Sequence, residues 1–142
     1  MGRPVDPVGP PAPSVKSISI GSEDRGRGVE FLGVWHPARS GSDVLVRIAQ
    51  LIADRDPGFL DRYVASPRGS RKRAGIARTP AELFPANPGL AEEKSARKQF
   101  VPGWWIDVNL NTGSKLVFIQ RMCEVAELGY GVEVKPVLET QR

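Results

Sequence analysis

Two asparagines spaced i, i+2 in Asn109-Leu110-Asn111-Thr112 sit where an apolar strand gives way to a helical pattern. An asparagine amide carries a donor and an acceptor on one rigid plane, the pair that reads adenine in the major groove of DNA. Lys115, one turn later, is placed to hold a phosphate. The alternative reading is local: Asn111 or Thr112 only caps the helix, and Asn109 only makes a turn. A second constellation is Arg62, Arg68, Arg71, Lys72, Arg73 and Arg78, with no acid between positions 62 and 78. Each phosphate such cations neutralise releases condensed counterions and makes binding salt-dependent. Arg71 and Arg73 are the sharper pair, because alternate residues of a strand project to one side and can track one backbone. The alternative is a solvated basic loop.

Other residues suggest chemistry on weaker patterns. Glu133-Val-Lys135 has the acid-x-lysine form of metal-dependent nucleases, with Asp107 as a candidate partner. His36, the only histidine, has Ser40, Ser42 and Asp43 nearby but no nucleophile-elbow pattern, so an exposed or capping role is expected. Trp104 and Trp105 offer stacking faces, yet adjacent strand residues point to opposite sides and at least one belongs to the core. Cys123, the only cysteine, lies on an apolar helix face and reads as a small buried hydrophobe.

The elements that must position these residues follow from periodicity and punctuation. Ser42 reads as a helix N-cap with Asp43 in the first turn, and Val44, Leu45, Ile48, Leu51 and Ile52 form one face of a helix of about three turns. Asp56-Pro57-Gly58 breaks it, and Phe59, Leu60, Tyr63 and Val64 give a second, shorter amphipathic helix that ends at Ser66-Pro67. Residues 69–76 read as a loop entering a short strand. Thr79-Pro80-Ala81-Glu82 opens a further turn of helix as a capping box, and Pro85, Pro88 and Gly89 stop it. Residues 91–98 read as a charged segment, with helix as one option, and as a solvated face. Residues 104–109 form the best strand, leading directly into a helix over 112–128 for which Gly129 suits the C′ position. Val132 and Val134 alternate with Glu133 and Lys135 as a terminal strand that Pro136 keeps at an edge. Residues 29–35 are a further strand with no evident partner, and five prolines in the first fifteen residues make an extended tail.

These elements predict a small α+β fold: helices over 42–65 and 112–128 packed on a short antiparallel sheet from 71–77 and 104–109. Residues 1–38 read as a proline-rich N-terminal segment and 39–142 as the functional domain. With 142 residues, one core is expected. A formal charge of +4 favours an anionic partner. One cysteine excludes an intrachain disulfide or a cysteine-based metal cluster and fits a reducing cytoplasm. No apolar stretch suits a signal peptide or a membrane span, so a soluble, unexported protein is expected.

In order of motifs the chain from about residue 42 to residue 129 resembles the C-terminal DNA-binding domain of the SeqA family, bacterial negative modulators of replication initiation that bind hemimethylated GATC sites. The likeness is strongest in Val101-Pro-Gly and in Trp105-Ile-Asp-Val-Asn-Leu-Asn-Thr-Gly-Ser-Lys115. The family pattern there is a V-P-G turn, an aromatic-rich strand and a T-N-T-N-T-G-R-K loop entering a helix. Asn109, Asn111, Thr112, Gly113 and Lys115 match it, while Val108 and Leu110 replace its threonines and Ser114 its basic residue. The resemblance implies that this loop enters the major groove, Asn109 and Asn111 contacting the methylated adenine pair and its neighbours. It implies also that Arg71-Lys72-Arg73 stands for the family's G-R-T-R hairpin on DNA backbone and bases. Residues 1–38 lack the family's N-terminal oligomerisation signature, so cooperative binding to paired sites is not implied and the oligomeric state is left open. The expectation is therefore non-catalytic, cofactor-free and metal-free binding of double-stranded DNA in the nucleoid, sensitive to sequence or methylation and regulating replication or transcription. The alternative is a metal-dependent nuclease using Asp107, Glu133 and Lys135.

Overall fold

A computed structural model describes residues 26–66 and 74–139. Among these residues the fold is a small α+β domain of five α-helices and two three-stranded antiparallel sheets. The 29–35 run, expected as one strand, is a hairpin of β1 (Gly28–Phe31) and β2 (Val34–Pro37). Its two-residue turn, Leu32-Gly33, has φ of 51° and 86°. Two consecutive positive φ values make a turn whose twist matches that of the flanking strands. Apolar character at Leu32 hid the turn, because the sequence signal for it is Asn-Gly or Asp-Gly.

Helix α1 (Gly41–Arg55) begins earlier than expected. Ser40, not Ser42, is its N-cap: the Ser40 hydroxyl accepts from the Asp43 N–H at 3.1 Å, and the Asp43 carboxylate accepts from the Arg39 N–H at 2.9 Å. Ser42 sits inside the first turn and donates to the Val108 carbonyl at 3.4 Å. Val44, Leu45, Ile48 and Ile52 are fully buried, as a stripe of that spacing requires. After Asp56 closes α1, helix α2 (Phe59–Ala65) buries Phe59, Leu60 and Tyr63. Val64, expected on the same stripe, is 48% exposed because the seven-residue helix ends before a second buried turn forms.

The second sheet contains a strand that composition concealed. Strand β3 (Ile76–Ala77) is short, and Thr79 caps α3 (Pro80–Leu83) by accepting from the Glu82 N–H. Pro88, expected only to stop that helix, is the first residue of α4 (Pro88–Ala91), which Asn87 caps. A 3-10 turn at Lys94–Ala96 then leads into β4 (Arg97–Val101), where a solvated face was expected. Lys98 and Gln99 are exposed and only Phe100 is buried, so no alternation marks β4; pairing with β5 (Trp104–Asp107) across Pro102-Gly103 makes it a strand. The register shifts between Gln99 and Val101, and the Gln50 amide of α1 donates to the Phe100 carbonyl there at 2.9 Å.

Sheet order is β3-β5-β4, and its strands alternate between two cores. Ile76, Phe100, Trp104 and Ile106 join α1, α2 and α5 in the main core. Ala77 and Trp105 face a smaller cluster with Leu83, Phe84, Ala91 and Ala96. Helix α5 (Thr112–Ala126) ends three residues before Gly129, with Glu127 at φ 60° and the Leu128 N–H donating back to the Cys123 carbonyl at 2.9 Å. Gly129 instead belongs to the turn before β6 (Val134–Val137), its carbonyl accepting from three successive N–H groups. Val132 lies in that turn and is 74% exposed. The first sheet is ordered β2-β1-β6, so Pro136 does occupy an edge strand. Val29 and Phe31 share the main core with α1, which joins the hairpin to the rest of the domain across position 38. No helix of the described residues is long and apolar enough to cross a membrane.

Candidate nucleic-acid interface

The 108–111 connection between β5 and α5 has a rigid base. Asp107, 1% exposed, receives the backbone Asn109 N–H on its carboxylate at 2.9 Å, an Asx turn. Its own N–H donates to the Gly75 carbonyl at 2.9 Å. Along the connection the residues alternate: Val108 is buried in the main core and Leu110 packs half-buried against it, while Asn109 and Asn111 are exposed. The apolar residues that replace the threonines of the resembling loop are thus the ones turned inward.

Each residue of the loop expected to meet DNA has a definite place. Asn111 is the N-cap of α5, its amide oxygen accepting from the Ser114 N–H at 2.8 Å. That cap occupies one lone pair of the oxygen and leaves the NH2 group pointing from an exposed residue. Thr112 donates its hydroxyl to the Glu139 carboxylate at 3.1 Å. Lys115, expected to hold a phosphate, is half-buried and folds its ammonium onto the Leu110 carbonyl at 2.7 Å. It therefore ties the loop to the helix that follows. Leu110, carried into the expected site by its place between the asparagines, is a wall residue packed on the core.

Arg71, Lys72 and Arg73 lie outside the described residues, as does Arg68. Of the other two cations of that constellation, Arg62 pairs with Asp56 (Nη2 to Oδ2, 2.5 Å) and also reaches the Val125 carbonyl. The hydrogen bond from Arg62 holds the Asp56 carboxyl below its ordinary range. Arg78 lies 4.2 Å over the Trp104 ring, with the Asp61 carboxylate at 3.8 Å. The lack of acids within 62–78 did not reveal these partners, because Asp56 and Asp61 precede that window in the chain. On the C-terminal side of the basic segment, Ala74 and Gly75 line a cleft of about 720 Å³ together with Asn111, Gly113 and Ser114. The chain leaving the basic segment and the asparagine loop therefore border one opening.

The remaining candidates are dispersed. Asp107 precedes α5, whereas Glu133 binds the Gly129 N–H at 2.7 Å beyond the far end of that helix. Fifteen residues of helix span roughly 20 Å, so the two carboxylates do not share a site. Lys135 faces Glu30 across the first sheet at 3.6 Å. Among the described residues no three His, Cys, Asp or Glu side chains cluster so as to hold a metal ion. Trp104 is buried, and Trp105 is half-buried with Arg97 4.8 Å over its ring, so neither indole is an open stacking platform. Burial, and then the charge of Arg47, hold the His36 pKa below its ordinary value. Burial pushes the Cys123 thiol up to about 11, which makes it unreactive at neutral pH. Comparison with protein-family models, with curated proteins and with solved structures finds no match for this chain.

Proposed function

We propose that this protein binds double-stranded DNA without chemistry, presenting the 109–112 loop to the major groove and the 71–73 segment to the phosphate backbone. The observation that carries the reading is the hydrogen bond from the Asp107 N–H to the Gly75 carbonyl. It holds the start of the asparagine loop against Gly75, two residues beyond the basic segment in the chain. The exposure of Asn109 and Asn111, against inward-facing Val108 and Leu110, supports the same assignment. Adenine readout by an asparagine amide and counterion release by arginines are complementary parts of duplex recognition. The resemblance to the SeqA family extends the proposal to GATC sites, to sensitivity to adenine methylation and to regulation of replication or transcription in the nucleoid.

A gel-shift series on unmethylated, hemimethylated and fully methylated GATC duplexes, against a scrambled duplex at two salt concentrations, tests it. Asn109→Ala is expected to reduce discrimination between sites by on the order of 1–3 kcal/mol while leaving binding to the scrambled duplex nearly unchanged. Wild-type discrimination in Asn109→Ala would remove this loop from the readout. Absence of binding to any duplex at low salt, where charge-driven association is greatest, would remove DNA as the partner.

A further inference from the structure

The asparagine loop has a second flank, on the side of α1. Ser42 in the first turn of α1 donates to the Val108 carbonyl, and a Cβ built on Gly41 would come within 3.7 Å of the Lys115 side chain. The N-termini of the two fifteen-residue helices α1 and α5 therefore lie side by side at the loop. Just before the Ser40 cap of α1 stands Arg39, an exposed residue. The Arg27 guanidinium donates to the Arg39 carbonyl at 3.3 Å, and the Ala38 N–H donates to the Arg27 carbonyl at 3.0 Å, so the two arginines are held as a pair. Neither is in an ion pair among the described residues, unlike Arg62 and Arg78, which both face acids. Among the described residues the acids on this flank are Asp43 and Glu139. Asp43 accepts from the Arg39 N–H while its own N–H donates to the Ser40 hydroxyl, and Glu139 accepts from Thr112.

We infer that Arg27 and Arg39 form a phosphate-binding arm, gripping the DNA backbone on the α1 flank of the asparagine loop. This rests on the proposed DNA-binding reading and extends its surface. A loop inserted in a groove is bounded by a phosphate strand on each side, and cations at the start of α1 are placed to meet the strand on that flank. Arginine suits the task, since its planar fork pairs with phosphate oxygens.

Fluorescence anisotropy of the full chain on a GATC duplex, over a series of salt concentrations, tests the arm. For every phosphate no longer neutralised, the slope of log affinity against log salt falls by about 0.9. The Arg27→Gln/Arg39→Gln double variant is therefore expected to lose about 1.8 of slope and to bind roughly tenfold more weakly per arginine at about 0.1 M salt. Preference between sites should persist, because phosphate contacts carry no sequence information. Arg27→Lys/Arg39→Lys should keep the slope. Arg39→Gln alone removes a side chain with no hydrogen bond among the described residues, so a fall of about 0.9 in slope at an unchanged melting temperature separates binding from folding. An unchanged slope in the double variant, with wild-type protein binding normally, overturns the arm and leaves the DNA reading standing. Failure of the wild-type protein to bind any duplex overturns both. Loss of site preference at constant slope would make these arginines base readers and refute the phosphate role.

Discussion

Asn111 has two duties that one substitution would confound, since its amide oxygen caps α5 while its NH2 group is on the face proposed for DNA. Serine retains a capping oxygen and removes the amide; alanine removes both. Asn111→Ala is expected to cost about 1 kcal/mol in urea unfolding, and Asn111→Ser much less. If alanine and serine cost the same, the cap is not what holds this helix end. His36 is governed by its surroundings in another way. Burial and Arg47 disfavour its charged form, so its folded-state pKa lies below the ordinary 6.5 and the folded protein binds fewer protons than the unfolded chain near that pH. Stability from this group is therefore full above pH 6.5 and declines as pH falls through the folded pKa. An NMR titration should place the His36 midpoint below 6.5, and Arg47→Ala should raise it part of the way, since burial is the larger cause. A midpoint at or above 6.5 in the wild-type protein would contradict the half-buried setting of His36 beside Arg47.

Among the elements, the end of α5 shows how a terminus differs from its sequence signal. Gly129 carried the expectation, yet the left-handed residue is Glu127. A non-glycine residue in that region is held at a cost of about 1 kcal/mol. Glu127→Gly removes that strain and is expected to stabilise by roughly 0.5–1 kcal/mol after the extra freedom of glycine in the unfolded chain is counted. Chemical denaturation measures it, and a clear loss of stability would mean that the attraction between Glu127 and Arg62 outweighs the backbone strain. Strand β4 fails the other way, because two exposed polar residues and one buried phenylalanine contain no period. Its existence depends on β5, on the Gly103 turn and on the Gln50 side chain from a helix about fifty positions earlier.

Across the molecule, Gly75 is where the parts meet. Its φ is 84°, and a Cβ there would come 3.1 Å from the Tyr63 hydroxyl and 3.2 Å from the Phe118 ring. Tyr63 belongs to α2 and Phe118 to α5, while the Gly75 carbonyl holds the base of the asparagine loop. Gly75→Ala must therefore strain its backbone and push two core rings apart, an overpacking cost of about 1–3 kcal/mol. A drop in melting temperature together with weaker DNA binding is expected. An unperturbed melting temperature would show that the rings yield freely and that this junction is not tightly coupled.

Features settled within a few residues are legible in the chain itself. The buried stripe of α1, the Phe59, Leu60 and Tyr63 face of α2, the Thr79 and Asn111 caps, the strand that begins at Trp104 and the edge position set by Pro136 all follow from period, side-chain chemistry or a missing N–H. The exposure of two asparagines at a strand-to-helix junction belongs here too, since alternation with Val108 and Leu110 encodes it. Folding had to settle which cations are paired, where Lys115 points and which strands become neighbours. Those outcomes turn on contacts between residues far apart in the chain, such as Ser42 with Val108 and Gly75 with Asp107, and a linear pattern carries no information about which distant group arrives. For the same reason the arm proposed at Arg27 and Arg39 has no signature in the sequence, because only the packed fold brings the start of α1 beside the start of α5.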